Sequence, residues 1–208
     1  MMSEQPSLMP APPESAEVDR DHLVVLPGVS WGQYVSLREE LDDHPGIRMT
    51  YFEGVLEIMS PSRQHEHGKK LIARLVEAYA EERDVDLLGF GAETHQRKRK
   101  KLGLEPDESY CVGKEKKVPD IAIEVVITSG GIDKLAAYRR LGVPEVWFWV
   151  RGRLHVFHLG RKGYQRRTRS AFLPGLDLDE VSRIVAGSTR AEQTRAVRRF
   201  REALRKAR

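Results

Sequence analysis

One cysteine, Cys111, is all that 208 residues carry. That excludes an internal disulfide and a paired-cysteine zinc site, and it suits a reducing cytoplasm, where a strand cysteine serves as a small buried hydrophobe. Long hydrophobic runs are missing too. Nothing approaches the roughly 20 apolar residues of a membrane span, and the start lacks a basic region followed by an apolar one, so an unexported, cytoplasmic protein with no membrane partner is expected. There is no glycine-rich phosphate loop and no Gly-x-Ser-x-Gly turn, which leaves nucleotide-driven and serine chemistry without support. A strong excess of one charge is also absent, the net charge being +4 and the pI about 9.2.

What is present is uneven charge and paired carboxylates. Arg97 to Lys101 is an unbroken basic run, Arg166, Arg167 and Arg169 form another, and Arg195 to Arg208 carries a third. Such patches neutralise phosphates, or they are a solvated surface or the counterpart of an acidic partner. Two β-rich runs, Ser109 to Val112 and Ile121 to Ile127, flank a polar loop from Gly113 to Val118 and read as a hairpin. Folded about Glu115 and Lys116, the pair sets Asp107 opposite Glu124, with facing side chains roughly 4.5–5.5 Å apart. Asp120 alternates onto the Glu124 face but lies roughly 13 Å along the strand, too far to share one ion with it. Two hard-oxygen groups at the closer spacing suit magnesium, which takes one or two carboxylates, several waters and a substrate phosphate. The bland alternative is that they are solvated or paired with nearby lysines.

The pattern around these residues resembles a known family. Pro106-Asp107 before one strand and Glu124 on the next, followed by a helix, looks like the PD-(D/E)XK nuclease superfamily. More closely, residues 103–110, Gly-Leu-Glu-Pro-Asp-Glu-Ser-Tyr, and 118–125, Val-Pro-Asp-Ile-Ala-Ile-Glu-Val, resemble the bacterial Uma-two family, grouped as restriction-type endonucleases. The likeness continues in Ile-Thr-Ser at 127–129, Tyr-Arg-Arg-Leu-Gly-Val-Pro-Glu-Val-Trp at 138–147, the segment Glu53 to Pro61 and His65-Glu66-His67. It implies a restriction-endonuclease-like α/β fold and a Mg2+- or Mn2+-dependent endonuclease that hydrolyses DNA phosphodiester bonds. In that reading Asp107 and Glu124 are the metal ligands. The superfamily places a lysine two residues after the glutamate, where this chain has Val126; in some members the lysine moves to the following helix, where Lys134 stands. Lys134 either reaches back to orient or activate water, or it is a solvated helix residue beside Asp133. The rival reading, which Val126 favours, is a catalytically degenerate nuclease-fold module that binds nucleic acid or protein.

The rest of the chain falls around this centre. Met1 to Asp21, rich in Pro, Ser, Glu and Ala, is expected to be a disordered tail without chemistry. Residues 22–189 are expected to form the restriction-endonuclease-like domain, and 190–208 a basic C-terminal helix packed on it. His22 to Leu26 reads as an edge strand, and Ser30 as the N-cap of a helix from Trp31 to Leu41. Ile47–Phe52 and Val55–Met59 alternate about Glu53-Gly54, a two-residue hairpin turn. Glu57, between apolar neighbours of that hairpin, needs a partner if buried and so is a candidate third site ligand or support. A helix from His65 to Arg83 carries the stripe Leu71, Ile72, Leu75, Val76 and Tyr79. His65 and His67, two apart, cannot share a helical face for zinc; His65 or Glu66 either reaches the site or is a capping and surface residue, the reading favoured here. One strand is expected over Asp86 to Arg97, with Glu93 or Gln96 assisting the site as the fold resemblance implies. After the carboxylate hairpin, Ser129 or Gly130 opens a helix to Leu141, closed by Gly142. Val146 to Val150 then forms a parallel strand, and Leu154 to Leu159 with Tyr164 to Thr168 an antiparallel meander at one edge. Val197, Phe200 and Leu204 give the last helix an apolar face, expected to dock on the core or on a second copy in a homodimer.

Overall fold

Local sequence rules set most elements. The structure, a computed structural model, describes residues 19–41, 44, 46–91, 101–128 and 130–207, together with the backbone of 95–97. Helix α1 (Trp31–Glu40) opens with a capping box in which Ser30 and Gln33 satisfy each other's backbone N–H. Strands β2 (Arg48–Phe52) and β3 (Val55–Ser60) turn at Glu53 and Gly54, both at positive φ (50° and 86°), the backbone of a two-residue hairpin turn that follows strand twist. β1 (His22–Pro27) pairs with β3 at the edge of the same sheet.

That sheet is antiparallel, with β6 (Leu102–Leu104) beside β2 and β5 (His95–Arg97) outside β6. A second, mixed sheet runs in the order β11-β10-β9-β8-β7-β4. Its members are β4 (Leu87–Gly89), β7 (Glu108–Val112), β8 (Ile121–Val126), β9 (Glu145–Val150), β10 (Arg153–Gly160) and β11 (Gly163–Arg167). β8 and β9 are parallel, joined by helix α3 (Lys134–Leu141); β9, β10 and β11 form the antiparallel meander. The restriction-endonuclease-type mixed sheet with a meander at one edge is therefore present, and the 48–60 hairpin belongs to a separate sheet facing it.

Alternation decides what lies on each side. Ile121, Ile123 and Val125 of β8 face α2 (Arg63–Arg83), α4 (Leu178–Gly187) and α5 (Gln193–Lys206) in the main core. Ala122 and Glu124 face the other way, where Ala122 meets α3 and β6. On the antiparallel sheet, Tyr51 and Leu56 pack against α1 while Glu57 and Arg48 alternate to the opposite side. Two inward faces thus bracket a polar layer between the sheets.

Three sequence expectations are corrected. The single strand over 86–97 is two short strands in different sheets, because β4 pairs with β7 while β5 pairs with β6; Glu93 lies outside the described residues, as does the side chain of Gln96. α3 begins at Lys134, its N-cap Asp133 accepting from the Ala136 N–H, so residues 127–133 are a loop and not a first helical turn. The segment assigned no chemistry ends in two capping carboxylates: Asp19 accepts from the N–H groups of Arg63 and Gln64, and buried Asp21 accepts from that of Ser62. α5 lays Val197 and Phe200 into the main core, so its apolar face is covered within this chain.

Candidate active site

Asp107 stands just before β7, and the register Glu108↔Ile123, Ser109↔Ala122 continues to place it beside Glu124, as the hairpin centre requires. Its N–H donates to the Ile123 carbonyl (3.1 Å), and its Oδ2 accepts from the Val125 N–H (2.6 Å). Its Oδ1 faces the Arg48 guanidinium at 3.1 Å and His65 Nε2 at 2.9 Å. Burial alone would raise the Asp107 pKa. The His65 hydrogen bond and charge, with the charges of Arg48 and Lys134, outweigh it and hold the carboxyl down at about 2.

Glu124 is the second buried carboxylate. Lys134 Nζ donates to its Oε2 at 2.5 Å and the Tyr138 hydroxyl donates to its Oε1. Desolvation pushes the Glu124 pKa up against the pull of Lys134, with the Asp107 charge adding to the rise. Lys134 is raised in turn: burial works against its charge, but Glu124, Asp107 and Glu57 prevail, so it is a cation at neutral pH. Of the two readings open for Lys134, the geometry selects the one that reaches back, since the first residue of α3 projects over β8. Val126, at the superfamily's lysine position, is half-exposed and apolar.

Glu57 is buried, and its Oε1 accepts from the Ile132 N–H at 2.6 Å. It grips the loop that delivers Lys134. The loop tolerates this because residue 130 is glycine; a Cβ there would collide with the Glu57 carboxylate. Asp120 braces the hairpin turn through the Val112 N–H (2.8 Å) and Lys116 (2.5 Å), away from the pair.

His65 is the residue that spacing rules misjudged. It is buried, and its ring bridges Asp107 through Nε2 and Asp21 Oδ2 through Nδ1 at 3.1 Å. Burial disfavours its charge, yet two flanking carboxylates raise its pKa to about 9. The capping and surface reading therefore fits Glu66, which is half-exposed and pairs with Lys69 and Arg48, and not His65. The signal available was the paired acids: a histidine with a carboxylate on each ring nitrogen is held charged. Asp21 stood in the polar tail and gave no periodicity to read. His67 turns away, to the Ser188 carbonyl and Gln193.

The model of the Uma2 family, described as "Putative restriction endonuclease", matches residues 31–191. The chain belongs to the Uma-two (Uma2) family. The family is assigned to the PD-(D/E)XK superfamily, whose fold the two sheets and the β8-α3-β9 crossover share. No curated protein matches the chain. Uma-two membership carries a nuclease assignment, and restriction-endonuclease-like proteins generally use divalent metals. Whether this chain's residues fit such an ion can be asked of the donors themselves. Among the described residues no three His, Cys, Asp or Glu side chains are arranged to hold a metal ion. Magnesium needs fewer, because water and substrate phosphate complete its shell, and Asp107 with Glu124 supplies two hard carboxylates in a layer that also holds Glu57. The pair fits on those terms, in competition with Arg48, His65 and Lys134, which already neutralise it. Among the described residues no helix is long and apolar enough to cross a membrane.

Proposed function

We propose that this Uma-two protein is a divalent-metal-dependent endonuclease acting on DNA phosphodiester bonds. The single observation that carries the reading is the 2.5 Å contact from Lys134 Nζ to Glu124 Oε2, which returns a cation to the place left by Val126. Asp107 and Glu124 would hold the Mg2+ or Mn2+ ion, which when bound makes water a better nucleophile and offsets charge on the attacked phosphate. Lys134, held charged by its neighbours, serves as an electrostatic clamp on a phosphate oxygen and does not act as a general base. Glu57 fixes the loop behind Lys134, and His65 with Asp21 and Arg48 fixes Asp107.

The test is plasmid nicking by purified protein with Mg2+ or Mn2+, beside the Asp107→Ala and Glu124→Ala variants. Wild-type nicking lost in both variants is the expected result; equal nicking in all three overturns the assignment. A second reading rests on the engagement of Asp107, whose close partners are hydrogen-bond donors and a guanidinium. If those donors are never displaced, the chain is a nuclease-fold binding module. It would then bind nucleic acid in a salt-sensitive way, without cleavage and without manganese heat in calorimetry.

A further inference from the structure

One of the basic runs of this chain lies on its meander. Residues 151–169 carry six arginines and a lysine with no aspartate or glutamate, more positive charge than the net +4 of the whole chain. The remainder is therefore net acidic. Strand alternation divides the segment. Val156 and its cross-strand partner Arg167 lie on the side of the main core, while Arg153, His155 and Phe157 with its partner Arg166 lie on the side of Glu124.

On that side, register lines up a path. Glu124 is beside Phe148, and Phe148 is beside His155, so two strand spacings of about 4.8 Å separate the site glutamate from the histidine backbone. Arg166 leans toward them, its guanidinium 2.6 Å from His155 Nδ1. Burial lowers the His155 pKa, and the charges of Arg166 and Arg153 lower it further, so both guanidiniums are close enough to act on one ring. α3 covers the β8 and β9 part of this face and meets β11 at its near end, where Tyr164 packs and Arg139 approaches Gly163. Beyond it Val150, Phe157 and Leu159 stay half-exposed, with Phe157 in edge contact with Phe148 at 5.8 Å between ring centres. At the other end of β11, a groove of about 670 Å3 between α3 and the β10–β11 turn is lined by Arg139, Arg140, Lys162 and Tyr164, with Glu53 and Asp133 also on its wall.

We propose that the open half of this face, bearing Phe148, Phe157, Arg153 and Arg166 with Arg139 and Lys162 at its far end, is the path of a nucleic-acid strand leading to Glu124 and Lys134. Phosphates sit on the guanidiniums, and unpaired bases stack on the aromatic pair, a combination that suits single-stranded nucleic acid. The cations are spread, Arg153 standing four residues along β10 from Phe157, or roughly 13 Å, so they follow a chain and not a single anion. Of the other basic runs, the one on α5 is a poorer candidate. α5 packs on the opposite face of the sheet, and its Arg201 and Arg205 are paired with Glu81 and Glu82.

This rests on the nuclease reading for the direction of the path but not for its existence, so binding and cleavage are measured separately. Fluorescence anisotropy of a labelled 20-nucleotide single strand, and of its duplex, is followed without divalent metal across a salt series. The comparison is wild type, Arg153→Glu/Arg166→Glu, Phe157→Ala, and Arg198→Glu/Arg199→Glu on α5, each checked for folding by circular dichroism. The meander double reversal is expected to weaken single-strand binding at least tenfold and flatten its salt dependence, Phe157→Ala to weaken the single strand more than the duplex, and the α5 reversal to change little. Binding lost by the α5 reversal and kept by the meander reversal overturns the proposal, as does a wild type that binds neither probe. A duplex preference that survives Phe157→Ala overturns the stacking role. Should wild type bind through the meander yet never nick plasmid, the path stands and the nuclease reading falls; should it nick plasmid at a rate the meander reversal leaves untouched, the reverse holds.

Discussion

Lys134 carries the most information per residue. A lysine at this position is legible in the sequence only through resemblance, because no propensity rule sends a helix's first side chain back to the preceding strand. The structure supplies the reason: β8 ends, a loop held by Glu57 turns, and Asp133 caps the helix so that its first residue stands over Glu124. If Lys134 acts as a cation on the phosphate, Lys134→Ala should lower single-turnover nicking by about 100-fold or more while plasmid affinity changes little. A fall in affinity with an unchanged turnover rate would make it a binding residue instead. For His65 the sequence left both readings open and favoured the surface one, for a different reason. Helical spacing compares a residue with its own helix, whereas both partners of His65 come from elsewhere, at positions 21 and 107. Its pKa, raised from 6.5 to about 9, means that its stabilising contribution is complete below pH 6.5 and is lost as pH climbs through 9. Asp107 works at the other end: held down at about 2, it contributes above pH 4 and loses that only as pH falls through 2. Urea unfolding between pH 6 and 10 should therefore show stability declining across the alkaline half, by up to about 3 kcal/mol. The decline should vanish in His65→Gln, and its persistence there would assign the slope to another group.

Elements with strong local signals were legible almost residue by residue. The Ser30 N-cap, the Glu53-Gly54 turn and the Gly142 cap at φ 89° follow from backbone requirements that few residues meet, and the carboxylate hairpin folds about the centre its loop implies. Elements defined by distant pairing were not. Residues 86–97 read as one strand with polar relief, but Gly91, at φ 56°, breaks the run, and the partners, β7 for one end and β6 for the other, lie in different sheets. α4 did leave a trace, with Asp177 as N-cap and Leu178, Val181 and Val185 on one face. On the proposed function, the β8–α3 loop matters more for chemistry than for stability. Gly130→Ala drives a methyl group into the Glu57 carboxylate, so the loop, and Lys134 with it, must shift. Overpacking of this kind costs about 1–3 kcal/mol. Nicking should fall at least tenfold at a temperature where circular dichroism still reports a folded protein. Activity equal to wild type would mean that the loop is not what positions Lys134.

At the scale of the molecule, the mixed sheet separates the main core from the layer of the candidate site. The main core, built on one face of the mixed sheet from α2, α4 and α5, holds Leu71, Leu75, Trp147 and Phe200 fully or almost fully buried. The charged layer occupies the other face, toward the antiparallel sheet. Sequence pattern identified the apolar faces of both sheets but not that they belong to two sheets, since alternation says which side of a strand is apolar and not what covers it. The arrangement sets Glu124, Glu57 and Lys134 on the side of the mixed sheet away from α2, α4 and α5, while Glu145 stays among the core residues and accepts from Trp147 Nε1. Phe200 tests whether the two sides are independent. It belongs to α5, which clasps α2, while Arg201 and Arg205 add surface pairs to Glu81 and Glu82 that are worth little by themselves. Phe200→Ala should cost about 3–5 kcal/mol in urea unfolding, because a large buried side chain leaves a cavity. The nicking rate per folded molecule should stay within about twofold at low temperature, since the site lies across the sheet. A rate that falls in step with stability would show the two faces to be coupled, with strain in the core reaching Asp107 through β7 and β8.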